Sequence, residues 1–129
     1  MRKRILVIDD DVDIRVLLSD RLEAMGFEVV TESNGQAGLS RIEREARQGS
    51  IDGVLLELDL PVLDGLAVLE DLQRRHPEIP VIVMSPVIRS GAFHTAIKCG
   101  ARDCLAKPFA AAVLANKCQE VFLKRSQAS

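Results

Sequence analysis

The stretch 52-DGVLLELDLPVLDG-65 decides the reading of the fold. Val54, Leu55 and Leu56 form a short unbroken apolar run that ends in a carboxylate, Glu57. Such a run suits a strand covered on both faces, as in a parallel sheet. Pro61 and the pair Asp64-Gly65 then supply the punctuation of a loop that hands over to a helix. Glu57 thus closes a buried strand, as a chemical centre, a structural charge or a replacement for something more reactive.

Working outward, comparable runs recur at Ile5 to Ile8, Phe27 to Val30 and Val81 to Met84, with a weaker one around Cys104 and Leu105. Between them apolar residues fall on helical stripes: Ile14, Leu17, Leu18, Leu22 and Met25; Leu39, Ile42 and Ala46; Leu66, Leu69 and Leu72; and Val113, Leu114, Cys118, Val121 and Phe122. Gly26 follows the first helix, Asn34-Gly35 opens the second, His76-Pro77 stops the third and Gly100 ends the fourth. Five strands alternating with five helices predict a doubly wound α/β domain with helices on both faces of the sheet. There is no internal repeat and no low-complexity segment.

A chain of 129 residues, 47% apolar, suits one domain with one packed core. The formal net charge of -2 makes no electrostatic case for nucleic acid or an anionic membrane surface. No segment approaches the roughly 20 apolar residues of a membrane span, and the apolar run after Met1 to Arg4 is too short for a signal peptide. A cytoplasmic location is therefore expected. Cys99, Cys104 and Cys118 are odd in number and lack a C-x-x-C pair, which fits reduced thiols. A metal held by these and His94 is the lesser reading beside small buried cysteines.

Ligands of an open parallel sheet bind beyond the carboxyl ends of its strands. The first strand ends in Asp9-Asp10-Asp11, the third in Glu57 with Asp59 close behind, the fourth in Ser85 and the fifth in Lys107-Pro108. Acids gathered so closely repel, and a hard cation such as octahedral Mg²⁺ is one natural resolution. Each feature also has an ordinary explanation. Asp11 or Asp13 suits a helix N-cap, Ser85 alone means little, and a lone lysine is usually a solvated charge. It is their order along the chain that carries information.

That order, with the stretches "RILVIDDDVDIR", "DGVLLELDLPVLDGL", "PVIVMS" and "GARDCLAKPF", resembles the receiver domain of two-component response regulators over essentially the whole chain. The resemblance implies a flavodoxin-like sheet of strand order 2-1-3-4-5. It implies a receiver domain over residues 1–124 and a polar tail or linker start over 125–129. Asp9 and Asp10 match the acidic pair that holds Mg²⁺, Asp10 more directly, and Asp59 matches the position offering its backbone carbonyl to the metal. Ser85 matches the switch hydroxyl, Lys107 the lysine that pairs with phosphoryl oxygens, and Pro108 a proline after a cis peptide bond. Asp64-Gly65 matches the turn opening the third helix.

Counted back from Pro61, the phosphoacceptor aspartate of that family falls on Glu57, and no register shift repairs this without breaking the rest of the pattern. Cys104 stands where the family usually carries the switching Tyr or Phe. The expected function is a receiver module acting through protein contacts rather than as an enzyme, with phosphotransfer impaired or partly imitated by Glu57. The implied partners are a sensor histidine kinase or phosphotransfer protein, an output domain, or a second copy through the face of the fourth helix, fifth strand and fifth helix. The alternatives are a receiver still phosphorylated on Glu57 or Asp59 and, more remotely, a Mg²⁺-dependent hydrolase of the phosphoaspartate type. Flavin binding lacks both a phosphate loop after the first strand and a Trp or Tyr to stack on a ring.

Overall fold

The computed structural model of the protein describes residues 2–46, 50–86 and 90–123. Five parallel strands, β1 (Arg4–Ile8), β2 (Glu28–Glu32), β3 (Gly53–Glu57), β4 (Val81–Pro86) and β5 (Asp103–Lys107), form one sheet in the order β2-β1-β3-β4-β5. Helices α1 (Val12–Ala24), α2 (Gly35–Ala46), α3 (Gly65–Arg75), α4 (Ser90–Lys98) and α5 (Ala111–Cys118) connect and follow them. After α5 the chain continues in a π-helical turn, Gln119–Leu123. The expected doubly wound fold and its strand order are therefore observed.

The alternation of side chains along each strand divides the interior in two. Leu6, Ile8, Val54, Leu56, Val81 and Val83 face α2, α3 and α4, meeting Ile42, Val68, Leu69, Leu72 and Ala96. Ile5, Val7, Leu55, Ile82, Met84 and Leu105 face the other way, onto Leu18 and Leu22 of α1 and Leu114, Cys118 and Phe122. Central β3 is buried at every position, as its unbroken apolar run requires. There Gly53 gives way to the Phe122 ring, since a Cβ on Gly53 would sit 2.5 Å from it.

Two details depart from the sequence reading. The second strand runs over Glu28–Glu32 rather than from Phe27, because at the sheet edge it is only half-buried and Phe27 instead packs edge-on against Phe122, centroids 6.1 Å apart. Leu17 and Val113, placed on buried stripes by their spacing, are exposed. Leu18 and Leu22, and Leu114, Cys118 and Phe122, already fill those interfaces at a spacing of four. The tail residues 124–129 lie outside the described residues, as does the side chain of Ala46.

The punctuation holds. Asp11 caps α1, its side chain accepting from the backbone N–H groups of Asp13 and Ile14. Gly26 and Gly100 take left-handed conformations (φ 96° and 107°) after α1 and α4. His76 closes α3. Asp64 stands at the start of α3, and the Lys107-Pro108 peptide bond is cis.

Candidate functional site

Beyond Ile8 the chain reaches Asp9, which is fully buried. Its carboxylate has two donors: the Asp11 backbone N–H at 2.9 Å from Oδ1, and Lys107 Nζ at 2.6 Å from Oδ2. Arg15, one turn into α1, donates to the Asp9 backbone carbonyl at 2.6 Å. Glu57, the last residue of β3, is only 3% exposed. Its Oε1 accepts from Lys107 Nζ, and its Oε2 accepts from the Asp59 backbone N–H at 2.8 Å. Lys107, leaving the end of β5, therefore reaches past β4 to acids carried by β3 and β1.

Gly65 makes the tight packing beneath Glu57 possible. A Cβ there would lie 2.4 Å from the Glu57 backbone carbonyl oxygen and 2.5 Å from the Leu58 Cα, so the turn closes only with glycine. The Gly65 N–H donates to the Leu58 carbonyl at 3.1 Å. The strand end that carries Glu57 is thus locked to the start of α3.

Burial and pairing compete at both ends of the ion pair. For Lys107 burial acts to lower the pKa, but hydrogen bonds to Asp9 and Glu57 and their charges outweigh it and hold the ammonium above its ordinary value. For Glu57 burial pushes the carboxyl up, with help from the Asp9 charge. Lys107 and the Asp59 N–H pull it down without fully compensating. Both groups sit in a region where desolvation is large, and the lysine remains firmly charged.

The other predicted site residues are placed differently. Asp10 and Asp59 are both exposed, Asp10 on the loop after β1 and Asp59 two residues past the end of β3. β3 ends at Glu57, so Asp59 lies on the loop beyond the strand. Ser85, on β4, is fully buried, and its hydroxyl has no hydrogen-bond partner among the described residues. Glu57 thus hydrogen-bonds to Lys107 and not to the Ser85 hydroxyl. Cys104, on β5, is half-buried with its Sγ 3.9 Å from the Phe93 carbonyl, and burial foremost raises its thiol pKa. Burial pushes the Cys118 thiol up to about 12, so it is inert core. All three cysteines are free.

Among the described residues no group of three or more His, Cys, Asp or Glu side chains is gathered to hold a metal ion. The acids that the sequence brings to one edge are divided between a buried pair, already satisfied by protein donors, and exposed neighbours. In this arrangement the donor set does not fit Mg²⁺. Arg15 is the residue that sequence reading missed. The only signal was a cation one turn after an acidic loop, and α1 carries Arg21 as well, which obscures it.

A model of the family described as "Response regulator receiver domain" matches residues 5–119. The chain belongs to this family. The receiver domain is 32% identical over 128 residues to "Probable transcriptional regulator ycf27" of Porphyridium aerugineum, a match covering 99% of this chain and 51% of that protein. It is 34% identical over 122 residues to "Transcriptional regulatory protein PrrA" of Mycobacterium tuberculosis, covering 95% and 51%. Against the crystal structure of the receiver domain of NtrX from Brucella abortus, 34% identical, the TM-score is 0.86 with 94% and 99% of the two chains covered. The receiver domain spans about half the length of the curated relatives it matches. No helix among the described residues is long and apolar enough to cross a membrane.

Proposed function

We propose that this receiver domain signals through protein contacts and that its phosphotransfer is impaired because Glu57 stands at the phosphoacceptor position. The observation that carries this reading is that both Glu57 carboxylate oxygens are engaged, one by Lys107 and one by the Asp59 N–H. A nucleophile for phosphoryl transfer needs an oxygen aimed at phosphorus, and positioning errors of about 1 Å already cost rate. Glutamate is longer than aspartate by one C–C bond of about 1.5 Å, and that extra reach brings its carboxylate to the lysine.

The same contact makes Glu57 a partial imitation of a phosphorylated aspartate. It reaches the cation that pairs with phosphoryl oxygens in the family, yet carries a single negative charge against about -1.5 to -2 for a phosphoryl group. Among the described residues the Ser85 hydroxyl has no hydrogen-bond partner, so only one arm of the switch is engaged. Cys104 in the place of an aromatic weakens the next step of that route, because a thiol is too small to report the hydroxyl's movement by filling a pocket.

Protein contact is supported by apolar side chains left exposed. Val12 and Val62 (57% and 94% exposed) flank the carboxyl edge, and Ile97 and Val113 lie on α4 and α5. The input partner is a sensor histidine kinase or phosphotransfer protein. The output partner is a further domain of a longer chain, the curated relatives being about twice the matched length, or a second copy through the α4, β5 and α5 face. Residues 125–129 would then begin the linker. The domain itself contacts neither nucleic acid nor membrane, performs no enzymatic turnover and works in the cytoplasm.

The test is intact mass after incubation with Mg²⁺ and a small-molecule phosphodonor, on this chain and on Glu57→Asp. The expected result is a phosphoryl adduct on the variant alone. An adduct on the unaltered chain, at Glu57 or Asp59, overturns the proposal. If neither is modified, the site has lost more than its acceptor and contact alone is its function.

A further inference from the structure

We infer that Lys107 takes the place of a divalent cation in this receiver domain: the Asp9, Lys107 and Glu57 triad closes the acidic edge on itself, and the pocket does not bind Mg²⁺. This deepens the reading above and rests on it for the alignment of Glu57 with the acceptor position. Two carboxylates as buried as Asp9 and Glu57 require a neighbouring positive charge to remain ionised together. A metal is one way to supply it. Here the charge comes from the chain.

Each of the four carboxylate oxygens already accepts from a protein donor. Asp9 Oδ1 takes the Asp11 N–H and Oδ2 takes Lys107 Nζ, while Glu57 Oε1 takes Lys107 Nζ and Oε2 takes the Asp59 N–H. An oxygen bearing one hydrogen bond retains a lone pair, so occupancy alone does not decide the matter. Space and charge do. Mg²⁺ demands a near-octahedral shell at about 2.0–2.1 Å and keeps most of its waters. The space between the two buried acids holds an ammonium that donates to both of them. The ion would have to expel a like charge from two buried acceptors, with the third acid, Asp10, out on the exposed loop.

Glu57 is the residue that creates this closure. Shortened by one methylene, its carboxylate would draw back about 1.5 Å from the ammonium and open the gap between the acids. One side chain, Glu57, thus accounts for both the impaired phosphotransfer and the excluded ion.

Metal binding can be measured with no phosphodonor present, which separates it from the phosphotransfer reading. Thermal unfolding of the full chain and of Glu57→Asp is followed across a MgCl₂ titration, with Mn²⁺ broadening of backbone amide NMR signals as a second readout. A ligand that binds only the native state raises Tm in a saturable way. The expected result is a Tm of the unaltered chain that is flat through millimolar Mg²⁺, with no selective broadening around Asp9 and Glu57. Glu57→Asp should gain both effects. A saturable shift or site-selective broadening in the unaltered chain overturns the inference even if that chain is never phosphorylated. So does a Glu57→Asp variant as silent as its parent, because the reach of Glu57 would then not be what excludes the ion.

Discussion

Arg4 and Arg41 on one flank of the sheet and Lys107 at its carboxyl edge all neutralise carboxylates, but the two regions distribute the task differently. On the flank, Glu45 at the end of α2 is shared by Arg4 and by Arg41, at 2.9 Å from the latter. Arg4 also faces Glu28 at 3.3 Å, and Arg41 faces Glu32 at 2.7 Å. Ser50 adds a hydroxyl on the Glu45 carbonyl. Both arginine side chains keep about a quarter of their surface in water, at 24% and 23%. At the edge one ammonium serves two carboxylates whose side chains are 0% and 4% exposed. A lost partner on the flank can be replaced by a neighbour or by solvent. At the edge Lys107 is the one cation that the described residues pair with these carboxylates, Arg15 being engaged on the Asp9 backbone carbonyl, and a network that hangs on one ammonium is the arrangement expected where a switch rather than a brace is needed.

Removing that cation is the strongest way to break the comparison. Lys107→Met leaves the Asp9 and Glu57 carboxylates buried together without the ammonium that pairs them, and uncompensated buried charge costs about 3–5 kcal/mol. The urea midpoint should fall accordingly, and adding Glu57→Gln should recover much of the loss by removing one of the two stranded charges. A loss within about 1 kcal/mol, the scale of an exposed pair, would show that water enters the edge as freely as it does the flank. Glu45→Ala is the matching change on the other side. It should cost about 1 kcal/mol, since Arg41 keeps Glu32 and Arg4 keeps Glu28. The two variants should combine additively if the regions are energetically separate.

The sequence exposed the edge better than the flank, for a physical reason. Buried parallel strands must be apolar, so a polar residue at the end of each run, Asp9, Glu57, Ser85 or Lys107, stands out against its neighbours. The flank residues Arg4, Glu28, Arg41 and Glu45 lie among other charges in half-exposed elements and carry no such contrast. Position along the chain also says nothing about which donor meets which acceptor. The order acid, acid, hydroxyl, lysine was legible, whereas the pairing of Lys107 with both Asp9 and Glu57, the isolation of the Ser85 hydroxyl and the clamp of Arg15 on the Asp9 carbonyl depend on side-chain directions that only packing determines. Leu17 and Val113 were misplaced for a related reason. A helical stripe is broad enough to include residues at its rim, and the spacing does not say where the interface stops.

A third pair extends the comparison to the exposed extreme and should give the smallest effect. Glu43 on α2 meets His76 Nε2 at the end of α3 at 2.8 Å, with Arg75 at 3.6 Å. The hydrogen bond to His76, foremost, holds the Glu43 carboxyl below its ordinary value of 4.5. Because the folded value lies below the unfolded one, the unfolded chain takes up the proton first as the solution is acidified. The stabilisation is therefore complete above pH 4.5 and is lost as pH falls through the depressed folded value. Thermal unfolding of the parent and of Glu43→Gln against pH should give curves that meet in acid and separate slightly as pH rises past that point. High salt should narrow the separation, since an exposed pair is screened. Lys107→Met should remain costly in the same salt, because the acids it leaves behind are out of reach of counterions. A Glu43→Gln curve parallel to its parent at every pH would mean that the contact joins α2 to α3 by packing, with no share from its charge.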